Sequence, residues 1–386
     1  MGLLRDTVMY WENFTEAAGM INAATILPPL RQWRRLALAV TLAATVAINA
    51  IPARADAQSN PPSARLNGVT HYYQTWNNCS GANLSMALSY FGWGFDQDIA
   101  RRWLKPNIED KNVSPWEMTD YVNHVQTTLP SVRAIWRFGG NLDLIKRLVA
   151  DGFPVIVESG FDVENLGWMG HYETVVAYDD PSQTIWVFDS YLGPDDGWGR
   201  PHSYADFDYW WRHFNRAFIV LFTLDREADL WAALGDYGYP QNATNIALRT
   251  ARQEAAANPG DPWAWFAMGM SYAWLGNFHD AATAFDQAFA LGMPYRITWY
   301  VFSPLEAYWN VGRFNDVIAL ADNTLATTEY VEEMYYWRGM AYAGLGQRSA
   351  ALDEFSKAAS YNPNFTLATD MRAQVEAGTF WAPAPA

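Results

Sequence analysis

Residues 77–93 read NNCSGANLSMALSYFGW. Asn78 is a good helix N-cap, Leu84, Ala87, Leu88 and Phe91 recur at helical spacing, and Gly92 is a stop signal. The stretch predicts a buried helix over roughly 80–91, with Cys79 in its first turn. Unpaired N–H groups and the positive end of the helix dipole favour a thiolate there. A nucleophile gains from that position, whereas a cysteine that merely fills space does not. Cys79 is the single cysteine in 386 residues, which leaves it no disulfide partner and no four-cysteine zinc site. The competing reading is a small buried hydrophobe.

Downstream, the pattern predicts helices around 116–126 and 141–150. Strands are expected over 154–158, 172–178, 184–189 and 217–224. Helices first and antiparallel strands later describe an α+β domain spanning 67–224. Within it, GHYETVVAYDD (170–180) and TIWVFDSYLG (184–193) form a β-hairpin turning over 179–183. With the turn centred on residue 180, His171 lies directly opposite Asp189, about 5 Å apart at Cβ. With the centre at 181 the pair becomes a diagonal at roughly 7 Å. A carboxylate so placed can hold an imidazole in one tautomer while the other ring nitrogen faces a thiol. A cross-strand His–Asp pair can equally be structural.

The segment QTWNNC (74–79) leading into a helix, the GHYETVVAYDD strand and the FDSYLG strand end are together similar to one group of papain-like cysteine peptidases. This is family thirty-nine, which includes bacteriocin leader-processing peptidases. The resemblance covers 67–224 and implies a papain-like fold. It implies Cys79 as nucleophile, His171 as general base and Asp189 as the acid that orients the imidazole. It further implies that Gln74, with the backbone N–H of Cys79, donates hydrogen bonds to a developing oxyanion. Three features depart from the family pattern. Cys79-Ser80-Gly81 stands where relatives often read Cys-Gly-Pro, Ser190 follows Asp189 where Pro is common, and Gln74 precedes Cys79 by five residues where many relatives have six.

After Asp225 the texture becomes Ala-rich and helical. Gly235, Gly269, Leu305 and Gly339 align at separations of 34, 36 and 34 residues, as do Ala247, Ala281, Val317 and Ala351. Tyr272, Tyr308 and Tyr342 form a third column, and Phe285 and Phe355 a fourth. A period near 34 with these residues resembles the tetratricopeptide repeat, in which small residues let paired helices approach. The clearest copies are 265–292 and 336–363, and four helical hairpins are expected over 225–370, followed by a tail at 371–386 that is expected to fray from Thr379.

Upstream, Arg31, Arg34 and Arg35 precede the apolar run Leu36–Ile48, 13 residues long and short for a bilayer span. Pro52 and the small-x-small pattern Ala53-Arg54-Ala55 follow. The order reads as a secretory signal peptide over 1–56, cleaved after Ala55 or Ala57, or as an uncleaved N-terminal anchor. A polar linker is expected over 57–66. Export, either secreted or membrane-anchored, is the expected localisation.

A formal charge of −15 without clustered Lys or Arg in the body of the chain argues against nucleic-acid binding. The six histidines (71, 124, 171, 202, 213 and 279) show no metal-ligand spacing, so no cofactor or metal is expected. Asp195, Asp196, Asp206 and Asp208 read as a solvated loop lacking a calcium-loop pattern. His202 and His213 read as surface or packing residues, and Glu173 as a rim charge or a support for His171. The combined expectation is an exported hydrolase that cleaves peptide or amide bonds through an acyl-enzyme, with its repeats binding a peptide or protein partner. Two rivals stand beside it: an inactive peptidase-like binding scaffold in which the repeats are the working part, and an amidase or acyltransferase acting on cell-wall peptides with the same residues.

Overall fold

A computed structural model describes residues 60–386. The expected signal or anchor over 1–56 therefore lies outside the described residues. The described residues belong to one compact unit.

Seven antiparallel strands make a single sheet: β1 (Ser63–Arg65), β2 (Val132–Arg137), β3 (Val155–Val163), β4 (Gly167–Asp179), β5 (Thr184–Asp189), β6 (Arg200–Ser203) and β7 (Phe218–Thr223). The order is β2-β7-β3-β4-β5-β6, with β1 paired to β4. Alternation in the central strands builds two cores. Val155 and Val157 join Phe218, Val220 and Phe222 on one face, whereas Ile156 joins Ile219 and Leu221 on the other. The first face is covered by α4 (Leu142–Ala150), α5 (Tyr204–Trp211) and α6 (Glu227–Leu234). The second carries α1 (Cys79–Ser89), α2 (Gln97–Leu104) and α3 (Pro115–Asp120). The result is the expected α+β domain. Three strands, β1, β2 and β6, were not expected, and β1 shows that the anticipated linker ends in a strand. Its Ser63–Arg65 backbone finds partners along Ala177–Asp179, where pairing satisfies peptide groups that a linker leaves to water.

The remaining helices are α7 (Pro240–Ala257), α8 (Pro262–Trp274), α9 (Phe278–Leu291), α10 (Ser303–Asn310), α11 (Phe314–Leu325), α12 (Glu332–Gly344), α13 (Arg348–Tyr361) and α14 (Thr366–Ala377). The pairs α8/α9, α10/α11 and α12/α13 are the hairpins, flanked by α7 and α14. A Cβ on Gly269 would meet the Phe285 ring at 2.6 Å, and one on Gly339 would meet Phe355 at 2.9 Å. The middle hairpin inverts the pair, with Leu305 against a small Ala321 at the equivalent spacing, both fully buried. Such an exchange conserves core volume.

Two boundaries differ from expectation. The first repeat copy does not form a hairpin, because Leu230, Ala233 and Leu234 of α6 point into the sheet core with Leu144 and Phe153. Gly235 then ends that helix at φ +55°. The tail is also not frayed. Helix α14 runs to Ala377, the aromatic rings of Phe380 and Trp381 lie 6.3 Å from that of Trp309, and Ala386 N–H donates to Gly312 O at 3.0 Å. The ring contacts and the Ala386 hydrogen bond tie the end to the repeats, although Trp381 itself stays 70% exposed.

Sheet domain and repeats share an apolar core. Phe138, Trp168 and Phe214 belong to the same cluster as Phe266 and Met270. His213 stacks on Trp263 at 3.7 Å, which makes it a packing residue. Arg212 pairs with Asp261 and Arg216 with Glu254, each at 2.7 Å. Among the described residues, no helix is long and apolar enough to cross a membrane.

Candidate active site

Helix α1 starts at Cys79, as the sequence predicts, but Asn78 does not cap it. The Asn78 amide instead donates to Gln97 Oε1 at 2.8 Å and Thr75 Oγ1 at 3.2 Å. Gln97 in turn accepts from Thr75 N–H and donates to Tyr73 O. The loop before the thiol is thus braced from α2, and the first N–H groups of α1 are not consumed by a side-chain cap. The helix is buried along Ser80–Leu88, so Cys79 sits on a rigid support.

Strand β4 carries His171 and strand β5 ends at Asp189. The ladder pairs Asp189 with Glu173, and a bulge shifts the register between Val175 and Ala177. The direct His171–Asp189 opposition expected for a turn centred at 180 is therefore replaced by the diagonal. The diagonal still closes: His171 Nε2 lies 3.0 Å from Asp189 Oδ1. Oδ1 also accepts the N–H groups of Tyr191 and Leu192 at 2.7 and 2.8 Å. Burial pushes the Asp189 carboxyl up, but the His171 charge and these donors prevail and hold it at about 2. The backbone carbonyl of Asp189 is tied to His71 Nε2 at 2.7 Å.

With Nε2 engaged, Nδ1 is the imidazole nitrogen left for the thiol. Burial disfavours the charged form of both partners. Against it, the imidazole's hydrogen bond and charge, the Tyr172 N–H and the Lys105 ammonium bring the Cys79 thiol below its ordinary range. Asp189 and Cys79 lift His171 well above its own. The two shifts favour a thiolate–imidazolium pair.

Gln74 does not line the pocket of this pair and is linked to the Cys79 backbone through a chain of side chains. Asn83, one turn after Cys79, donates to Cys79 O at 3.0 Å and to Ser190 Oγ at 3.2 Å. Ser190 Oγ then donates to Gln74 Oε1 at 2.8 Å. Ser190, one departure from the family pattern, thereby orients the Gln74 amide, with its NH₂ end turned away from Ser190.

Cys79 and His171 line a cavity of about 20 Å³ with Lys105, Glu158, Tyr172 and Tyr300, room for about one water molecule. Four of these residues were not anticipated. Lys105 is buried, donates to Asn77 O, and is lowered to about 8, mainly by burial. Glu158 is buried opposite Tyr172 in the ladder, and burial followed by the Cys79 charge raises its carboxyl well above the ordinary range. A charged residue inside the apolar run VIVESG was a readable signal. Lys105 in RRWLKPN and Tyr300 carry no such local mark. Glu173, buried, accepts from Ser159 Oγ at 2.8 Å, so it is a ladder partner of Asp189 and no rim charge. Asp195 pairs with Arg200 and Asp208 with Arg216. Among the described residues, no group of three or more His, Cys, Asp or Glu side chains is arranged to hold a metal ion.

A mixed domain with a thiol at a helix start and an imidazole on a neighbouring antiparallel strand defines a papain-like cysteine-peptidase fold. Residues 66–217 match the peptidase C39-like family, and 332–365 match the tetratricopeptide repeat. The chain thus carries a C39-like peptidase domain followed by tetratricopeptide-type repeats. Solved structures similar to it include a MamA double mutant (19% identity, 39% of this chain and 84% of that chain, TM-score 0.33). Another is MamA from residue 41 to its end, from Desulfovibrio magneticus RS-1 (19%, 39% and 86%, TM-score 0.33). A third is a thermophilic TPR protein of Thermus thermophilus (16%, 38% and 86%, TM-score 0.29). No curated protein matches the chain.

Proposed function

We propose that this protein is a cysteine hydrolase that cleaves peptide or amide bonds through an acyl-enzyme. The observation that carries the reading is the shared pocket of Cys79 and His171, with His171 Nε2 held 3.0 Å from Asp189. Cys79 thiolate attacks the scissile carbonyl carbon, and the carbonyl electrons move to oxygen. Gln74 and the Cys79 N–H stabilise that oxyanion. As it collapses, the C–N bond breaks and the His171 imidazolium gives its proton to the leaving amine. A water molecule, deprotonated by His171, then attacks the thioester and releases the acid and the thiol. Asp189 keeps the ring aligned throughout.

Exposed Tyr73, Trp76, Tyr191 and Leu192 flank the sequence positions of the thiol and carboxylate. They support a peptide substrate with apolar side chains. The tetratricopeptide-type repeats suggest protein–protein interaction, and a peptide or protein partner held there raises local substrate concentration. The basic, apolar and small-x-small order of 31–55 supports action outside the cytoplasm.

The test is labelling by iodoacetamide at neutral pH, with the modified residue located by mass spectrometry, alongside peptide cleavage by wild type and Cys79→Ala. Rapid alkylation of Cys79 and cleavage abolished by Cys79→Ala are expected. Sluggish alkylation, or cleavage that survives the substitution, sinks the reading.

A further inference from the structure

The thiol pocket is not built by the sheet domain alone. Tyr300, from the connection between α9 and α10 in the repeats, lines it together with Cys79, Gly170 and His171. Its approach depends on a missing side chain. A Cβ on Gly170 would meet Phe214 at 2.7 Å and the Tyr300 ring at 3.1 Å. Glycine directly before His171 therefore lets an aromatic wall close against the strand beside the imidazole.

That wall is clamped. The Tyr300 ring makes edge contacts with Trp168 at 5.9 Å and Phe214 at 6.0 Å, so swinging it aside means unpacking the interface between sheet and repeats. A second part of the lining, Lys105 to Val113, is fastened to the repeats as well. Lys111 N–H donates to Tyr330 O at 3.1 Å, and the Asn112 amide reaches Glu333 Oε1 at 3.4 Å. Within this lining about 20 Å³ remains. Side chains at such packing density do not yield without cost.

We propose that Tyr300 is a specificity-determining residue of the thiol pocket: it narrows the approach to Cys79, so that slender electrophiles reach the sulfur and wide ones do not. The repeats then decide what reacts as well as what docks. The inference deepens the hydrolase reading and rests on it for its substrate, an acyl group narrow at the carbonyl.

Two alkylating agents of different width test it on the full chain, iodoacetamide and N-pyrenylmaleimide, with second-order rate constants measured for Cys79. Tyr300→Ala should raise the ratio of wide to slender rates about tenfold, the equivalent of about 1.4 kcal/mol of steric barrier. Tyr300→Phe, which keeps the ring, should leave the ratio at the wild-type value. Tyr300→Leu decides the matter if circular dichroism shows the alanine variant unfolded. An unchanged ratio in a folded Tyr300→Ala or Tyr300→Leu protein overturns the proposal. The two readings fail separately: sluggish iodoacetamide labelling with a raised ratio sinks the hydrolase and keeps the gate, whereas rapid labelling with an unchanged ratio does the reverse.

Discussion

His171 reaches Asp189 along a ladder diagonal, Nε2 to Oδ1 at 3.0 Å, while the residue directly across from Asp189 is Glu173. The carboxylate is fixed independently by two backbone N–H donors, so the imidazole is the partner being oriented. Asp189→Asn keeps an acceptor in place but removes the charge that favours imidazolium. Cleavage is expected to fall by about 10³- to 10⁴-fold. Because His171 titrates lower without that charge, the thiolate–imidazolium pair loses its cation at lower pH. The rise of the iodoacetamide rate with pH should accordingly move to higher pH, lowering reactivity in acidic buffer, and an unchanged profile counts against the arrangement.

In the proposed mechanism Gln74 acts on an oxyanion, and alkylation by iodoacetamide forms none. Gln74→Ala should therefore lower peptide cleavage by about 10²- to 10³-fold and leave the alkylation rate of Cys79 near wild type. Equal losses in both assays would mean that Gln74 shapes the loop and does not bind the oxyanion.

Lys105 is a buried cation in the thiol pocket, one of the groups that lower Cys79. Lys105→Met should move the thiol titration upward and lower the alkylation rate at acidic pH, with the rate recovered in alkaline buffer. Alkylation measured from acidic to alkaline pH checks this. A loss that persists in alkaline buffer would point to a collapsed pocket.

Buried Glu333, Glu332 and Asp110 meet where the repeats hold the pocket wall, with Glu117, Lys105 and Lys111 nearby. Burial, then the charge of Glu332 and the other acids, raises Glu333 well above the ordinary range. A carboxyl raised in the fold holds its proton there more tightly than in the unfolded chain. Stability therefore declines as pH climbs from the ordinary glutamate value toward the folded one. Glu333→Gln removes the share of that dependence that Glu333 contributes. Denaturant titrations should find the variant equal to wild type near about pH 4 and more stable by about 1–3 kcal/mol near about pH 8.

Gly269 leaves space that the Phe285 ring occupies, 2.6 Å from where a Cβ would stand. Gly269→Ala should destabilise the protein by about 1–3 kcal/mol through overpacking, despite the better helix propensity of alanine. Urea unfolding measures it, and a gain in stability would contradict the packing.

Local regularities were readable along the chain. Helix α1, the hairpin of β4 and β5, and two clear repeat copies follow from spacing that a short window contains. The same holds for Glu158, a charge within an apolar strand. Strands β1 and β6 were not legible, because pairing along a neighbour defines them more than composition does. Helix α6 was assigned to the repeats on its alanine content, yet its apolar face lies on the sheet.

By itself the sequence determined that a thiol opens a buried helix, that His171 and Asp189 share a hairpin, and that paired helices follow. Tertiary structure decided the rest. The bulge at Val175/Ala177 chose the diagonal, folding of the loop around the thiol buried Lys105, and the repeats delivered Tyr300 to the thiol pocket. Periodicity is a property of neighbours along the chain, whereas a pocket is made by residues that folding alone brings together.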